Sequence, residues 1–190
     1  MAIRTDEDRL TVEALDEAPD DGLRRELVDG ILVVTPAPAL LHQWVVTQLA
    51  ALLVPVCPPA LGVLVAPFDY RPDEHTNLQP DVLVVDAAEP DEERMAFPPK
   101  LVIEVLSRST RSYDLGTKRL AYEHLGVPAY WLIDPAEPEL IVLRLVGRAY
   151  EEAYRGKEPY RADWPFSVTV DVTKLIKRRP RRPGQARRRR

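Results

Sequence analysis

The sequence holds one cysteine, Cys57, which excludes an intrachain disulfide and a thiolate-based zinc site. Long apolar runs are also missing. The longest, residues 39–56, is broken by His42, Gln43, Thr47, Gln48 and Pro55, which argues against a membrane span. The charged N-terminal stretch has no apolar segment of the kind a secretory signal needs, so a cytoplasmic location is the expectation. Neither a G-x-S-x-G turn nor an H-E-x-x-H helix occurs, which removes a histidine-based hydrolase. Glycine is scarce, eight residues against 19 prolines. The prolines gather at Pro55, Pro58 and Pro59, at Pro98 and Pro99, and near the C-terminus, where they separate elements.

What is present fits one globular domain: 190 residues, 45% of them apolar and 29% charged. A single domain over 1–175 and a basic tail over 176–190 are expected. The net charge of −4 hides an asymmetry. Ten of the 26 basic residues fall between Lys174 and Arg190, where no acid occurs, so residues 1–173 carry 16 basic against 30 acidic residues, a net −14. Phosphate affinity comes largely from Lys and Arg, so a body this acidic is a poor non-specific binder of nucleic acid. The tail reads as solvated charge, and at most as a tether to nucleic acid.

Residues 11–18 (TVEALDEA) predict a short helix capped by Thr11. Two β-prone runs around Val28-Asp29-Gly30 predict a hairpin. Apolar spacing predicts a buried helix over 39–54, ended by Pro55. GVLVAPFDYRP predicts one long strand reaching about Arg71, and DVLVVD (81–86) and LVIEVLS (101–107) predict core strands. A second helix over 112–125, closed by Gly126 and Pro128, precedes the strands AYWLID (129–134) and ELIVLRLV (139–146). AYEEAYRG and FSVTVDV are expected as edge strands. The pattern is mixed α/β (α+β), without internal repeats.

Period-two alternation along LVIEVLS puts Val102, Glu104 and Leu106 on one face. A carboxylate there is costly to bury unless it is paired or binds a metal; the alternative is an edge strand with Glu104 in water. Asp81 opens the preceding core strand after Pro80, either in solvent or beside Glu104, because consecutive core strands usually pair. Two convergent carboxylates form an oxygen-rich site for Mg²⁺ or Mn²⁺. On the following helix Lys118 and Tyr122 share the inward face with Leu115, Ala121 and Leu125, while Arg119 and Glu123 point away. Lys118 then meets a carboxylate or a phosphate, snorkels to the rim, or pairs with Asp114. A lysine above two carboxylates is a layout for phosphodiester hydrolysis.

The strings QPDVLVV, LVIEVLS and YDLGTKRLAYEHLGVPAYWLIDP, with RELVDGILVVTPAPALLHQWVV and LVAPFDYRPDEHTNLQPD upstream, closely resemble the Uma-two family of the PD-(D/E)XK nuclease superfamily over residues 10–146. The resemblance implies a restriction-endonuclease-like core, a mixed sheet flanked by helices, and a Mg²⁺-dependent (or Mn²⁺-dependent) endonuclease acting on DNA. Under it Asp81 is the PD aspartate and Glu104 the acid of the second half-motif. The superfamily's usual lysine position is Leu106 here, and Lys118 stands at the migrated position, followed by Tyr122. Glu26 matches an N-terminal glutamate that completes the metal site in some relatives, or is a surface charge of the hairpin. His42, on the apolar helical face of Val46, Leu49 and Leu53, is a core residue or an accessory to the site. Asp114 and Asp134 are expected as caps or ion-pair partners, and His75 and His124 are excluded as metal ligands. A homodimer is a candidate assembly. The competing expectation is a nuclease fold without activity, serving as an interaction or accessory module.

Overall fold

Val45, Leu49 and Leu53 recur every four residues and are fully buried, and that spacing makes the longest helix of the computed structural model. The structure describes residues 9–19, 21–88 and 94–177. The chain begins with a short helix, α1 (Val12–Asp16), whose Thr11 side chain accepts the Ala14 N–H as its N-cap. Strands β1 (Arg24–Val28) and β2 (Ile31–Thr35) follow as a hairpin. Its two turn residues, Asp29 and Gly30, both have positive φ, as a tight two-residue hairpin requires. Gly30 has a second reason to lack a side chain, because a Cβ there would lie 2.6 Å from that of Arg9.

Helix α2 (Leu40–Leu53) passes into a tight turn containing Pro55. The single strand expected to reach Arg71 is instead two, β3 (Leu61–Val65) and β4 (Asp69–Asp73), in different sheets. Pro67 stands between them and has no N–H with which to continue the ladder, so the chain changes sheet there. Next come β5 (Thr76–Leu78), β6 (Val82–Asp86), β7 (Arg94–Met95) and β8 (Leu101–Val105).

Residues 113–118 wind as a π-type turn, which runs on into α3 (Arg119–His124). Gly126, with positive φ, ends the helix, and the Gly126 and Val127 amides bond back to the Glu123 and Tyr122 carbonyls. The remaining elements are β9 (Ala129–Asp134), β10 (Glu139–Val146), β11 (Ala149–Gly156), β12 (Tyr160–Ala162), β13 (Val168–Val170) and α4 (Val172–Ile176). Residues 178–190, most of the expected tail, lie outside the described residues.

The central sheet has six strands in the order β11-β10-β9-β8-β6-β3, mixed because β8 and β9 run parallel while the other pairs are antiparallel. Strands β8 and β9 are buried on both faces, which their unbroken apolar runs anticipate. A smaller sheet, β2-β1-β5-β4-β7, lies beside it. FSVTVDV, expected as an edge strand, does not join either. Among the described residues its strand β13 pairs only with β12, and Phe166, Val168 and Val170 cover the α2 side of the core. Among the described residues no helix is long and apolar enough to cross a membrane.

Candidate active site

Strands β6 and β8 pair antiparallel, with Val82 opposite Ile103 as the last pair of the ladder. One residue further along each strand stand Asp81 and Glu104. Alternation turns both to the α3 face, on which Leu83, Val102 and Leu106 are buried. The Asp81 N–H lies 3.4 Å from Glu104 Oε2, and both residues are almost wholly buried. The alternatives of a solvent-facing Glu104 and a solvent-facing Asp81 are therefore excluded.

Lys118 completes the floor. It is 1% exposed, and its Nζ donates to Glu104 Oε1 at 2.7 Å and lies 2.9 Å from Glu26 Oε1. It does not pair with Asp114 or snorkel to the rim. The π-type turn keeps Asp114, Lys118 and Tyr122 buried on one side of the helix, and the Tyr122 hydroxyl donates to Glu104 Oε1 at 3.2 Å. Glu123, expected to face outward, instead accepts the Tyr150 N–H from β11.

Around Asp81 the hydrogen bonds are dense. Its Oδ2 accepts the Val105 N–H at 2.8 Å and stands 3.0 Å from His42 Nε2, while Oδ1 accepts from Arg24 Nη1 at 3.1 Å. His42 sits in the first turn of α2, and so reaches over the end of the sheet to the other face. Glu26 is 1% exposed, which rules out a surface charge. Its Oε1 accepts the Gln79 N–H at 2.8 Å as well as facing Lys118.

Burial is the largest influence on the acidity of Glu104, Asp81, Lys118 and Asp114, and their partners decide the outcome. For Glu104, burial pushes the carboxyl pKa well above its usual range; Lys118 offsets this in part, while Asp81 and Asp114 add to it. For Asp81, burial acts in the same direction but is overcome by the hydrogen bond and charge of His42, aided by Arg24 and Lys118, so its pKa lies well below the usual range. Two neighbouring carboxylates are thus driven apart in acidity, a common arrangement in catalytic sites. Burial of Lys118 disfavours its ammonium, but Glu104 and Glu26 outweigh that and raise its pKa, so the charge is kept. Asp114 is pushed up to about 6 by burial, against the pull of Lys118 and with added repulsion from Asp81 and Glu26.

These groups form the floor of a cavity of about 300 Å³, walled by residues 35–39 and 107–110. A larger groove, about 720 Å³, lies between the β1–β2 hairpin and α3, but Asp81, Glu104 and Glu26 do not line it. Among the described residues no three His, Cys, Asp or Glu side chains are grouped so as to cage a metal ion. The expected trio of Asp81, Glu104 and Glu26 is therefore not assembled as such, because the Lys118 ammonium occupies the space between Glu26 and Glu104.

Arg24 and Tyr113 were not singled out from the sequence. Arg24 lies two residues before Glu26 on the same face of β1, which was the available signal; Tyr113 gave none. Asp134 accepts the Ala136 and Glu137 N–H groups and pairs with Arg111, a structural role as expected. His75 bonds to the Leu10 carbonyl, and His124 lines the larger groove.

A family model described as "Putative restriction endonuclease" matches residues 12–169. No curated protein matches the chain. Among solved structures, "a putative nuclease belonging to DUF820 from Anabaena variabilis ATCC 29413" is similar with a TM-score of 0.73 at 20% identity, covering 88% of this chain and 97% of that one. At that identity the likeness establishes the fold, a restriction-endonuclease-like core with a mixed central sheet. With more than half of its length matched, the chain belongs to the Uma2 family of restriction-endonuclease-like proteins.

Proposed function

We propose that this chain is a divalent-metal-dependent endonuclease that hydrolyses DNA phosphodiester bonds at the floor formed by Asp81, Glu104 and Lys118. The supporting observation is the convergence, from two adjacent strands and the next helix, of two carboxylates of unequal acidity and one buried ammonium. Mg²⁺ is typically held by one or two carboxylates, with waters and phosphate oxygens completing its shell. Asp81 and Glu104 fit that donor set, with Mn²⁺ as the alternative ion. When bound, such an ion polarises the phosphoryl oxygen and lowers the pKa of a coordinated water.

The protein's own groups do the rest. Lys118 carries a full charge where the phosphate must enter, and there it orients the attacking water or neutralises charge developing on the phosphoryl oxygens. Glu26 holds Lys118 from the far side, and enters the ligand set only if Lys118 turns to the phosphate. Tyr122 fixes the Glu104 carboxylate, and His42 fixes that of Asp81. We place this activity in the cytoplasm and in a homodimer paired along the exposed edge of β2, where Ile31, Leu32 and Val34 are 41–48% exposed.

The test is cleavage of circular DNA with Mg²⁺, offered as a single strand and as a supercoiled plasmid, whose strands separate locally. The parent protein should nick or cut it, and Asp81→Asn or Glu104→Gln should lower the rate at least about 100-fold, the scale lost when charge stabilisation in the transition state is removed. Equal cutting by both variants contradicts the assignment. One observation favours the second reading, an inactive accessory module: Asp81, Glu26, Glu104, Arg24 and Lys118 already satisfy one another. That reading requires an absence of metal binding at Asp81 and Glu104.

A further inference from the structure

The two walls of the cavity differ in chemistry. One is the segment Thr35-Pro36-Ala37-Pro38-Ala39, four of whose five residues are apolar; the other is Ser107-Arg108-Ser109-Thr110. Arg108 is exposed, and among the described residues it is the cavity-lining cation without an ion pair, since Arg24 and Lys118 are tied to carboxylates. Four lining side chains also carry a buried polar atom that has no partner among the described residues: Arg24 Nε, Thr35 Oγ1, His42 Nδ1 and Tyr113 Oη. Thr35 and His42 are more than nine-tenths buried. Unpartnered buried polar atoms are costly, and so many around one cavity call for a ligand rich in hydrogen-bonding groups.

A volume of about 300 Å³ lies at the small end of ligand pockets, and the reacting groups lie at its bottom, 1–3% exposed. An unpaired strand, narrower and more flexible than a duplex, reaches that floor more readily than a phosphate held in paired DNA. Residues 1–173 carry a net −14, and among the described residues the rim offers one unpaired cation, so the surround of the cavity gives a duplex few phosphate contacts. Duplex binding without sequence preference draws on many such contacts. An unpaired strand also offers its bases, whose faces and hydrogen-bonding edges add contacts that a duplex withholds.

We infer, resting on the nuclease reading of the floor, that this cavity takes an unpaired DNA strand: one nucleotide seated between the two walls, its phosphate toward Arg108 and Lys118 and its base against Pro36 and Pro38. Paired DNA is a substrate only where its strands separate.

The experiment uses one fluorescein-labelled oligonucleotide as a single strand, as a blunt duplex and as a duplex with a single-stranded overhang. Binding is read by anisotropy without divalent cation, and cleavage with Mg²⁺. The single strand should bind at least about tenfold more tightly than the blunt duplex, and Arg108→Ala and Thr35→Val should each weaken that binding several-fold. Cuts should fall in the single strand and in the overhang. Equal affinity for the blunt duplex, no measurable binding of either form, or cuts inside paired DNA at the single-strand rate overturns the inference. Tight single-strand binding with no cleavage of any form supports strand selection and removes the nuclease reading, so the two failures are told apart.

Discussion

On the α2 face of the six-stranded sheet, Leu101, Ile103 and Val105 pack with Leu49, Trp131 and Val142 in an apolar layer. On the α3 face the alternate positions of the same strand place Glu104 between Val102 and Leu106, among Tyr122, Tyr130 and Leu132. One strand therefore serves two ends. Each large apolar side chain buried on the first face contributes roughly 1.5–3 kcal/mol. Each charge buried on the second costs several kcal/mol before its partners compensate, and an apolar replacement of a buried ion pair is often no less stable. The α2 face holds the fold together, and the α3 face carries groups whose presence stability does not explain.

The sharpest way to break this contrast is to remove Lys118. Lys118→Met should abolish Mg²⁺-dependent cleavage, at least about 100-fold. It leaves Glu104 buried without its paired cation and Glu26 with Arg24 alone, so urea unfolding should also show a loss of about 3–5 kcal/mol. On the other face, Trp131→Ala should cost a comparable 3–5 kcal/mol through cavity formation, yet leave the cleavage rate per folded molecule unchanged. If Trp131→Ala lowers activity as far as Lys118→Met at temperatures where both are folded, the faces are not functionally distinct.

A smaller effect concerns Asp114, whose carboxyl is pushed by burial from the ordinary 3.8 to about 6. Between about pH 4 and 6 the folded state keeps a proton that the unfolded state has released, so stability falls as pH rises through that window and stays lower above it. Asp114→Asn should flatten this slope and be more stable than the parent at pH 7, by no more than about 3 kcal/mol at 1.4 kcal/mol per unit. Asp81 works in the opposite sense. Its depressed pKa contributes stability above about pH 4, lost as pH falls below it, so the two effects separate in a stability–pH profile.

Much of the α3 face could be read from local patterns. Alternation gave the face of Glu104, the adjacency of consecutive core strands gave Asp81 its neighbour, and helical projection turned Lys118 inward. These are short-range rules acting on contiguous residues, and the π-type winding at 113–118 did not disturb the result. What was not legible depends on long-range docking. Arg24 meets Asp81 across 57 residues, and Glu26 meets Gln79 across 53. Nothing local to RRELV says which face of that hairpin will be covered. The split of residues 61–73 between two sheets was missed for a different reason: β-propensity outvoted the one residue, Pro67, that could not stay in the ladder.

Titration of Mn²⁺ into the protein by calorimetry tests the central claim most directly, using the parent and the Asp81→Asn/Glu104→Gln double variant. The parent should show one saturable site per chain, and the double variant none. A parent that takes up no Mn²⁺, or a double variant that binds it as well as the parent, would contradict the assignment of these carboxylates to a metal centre.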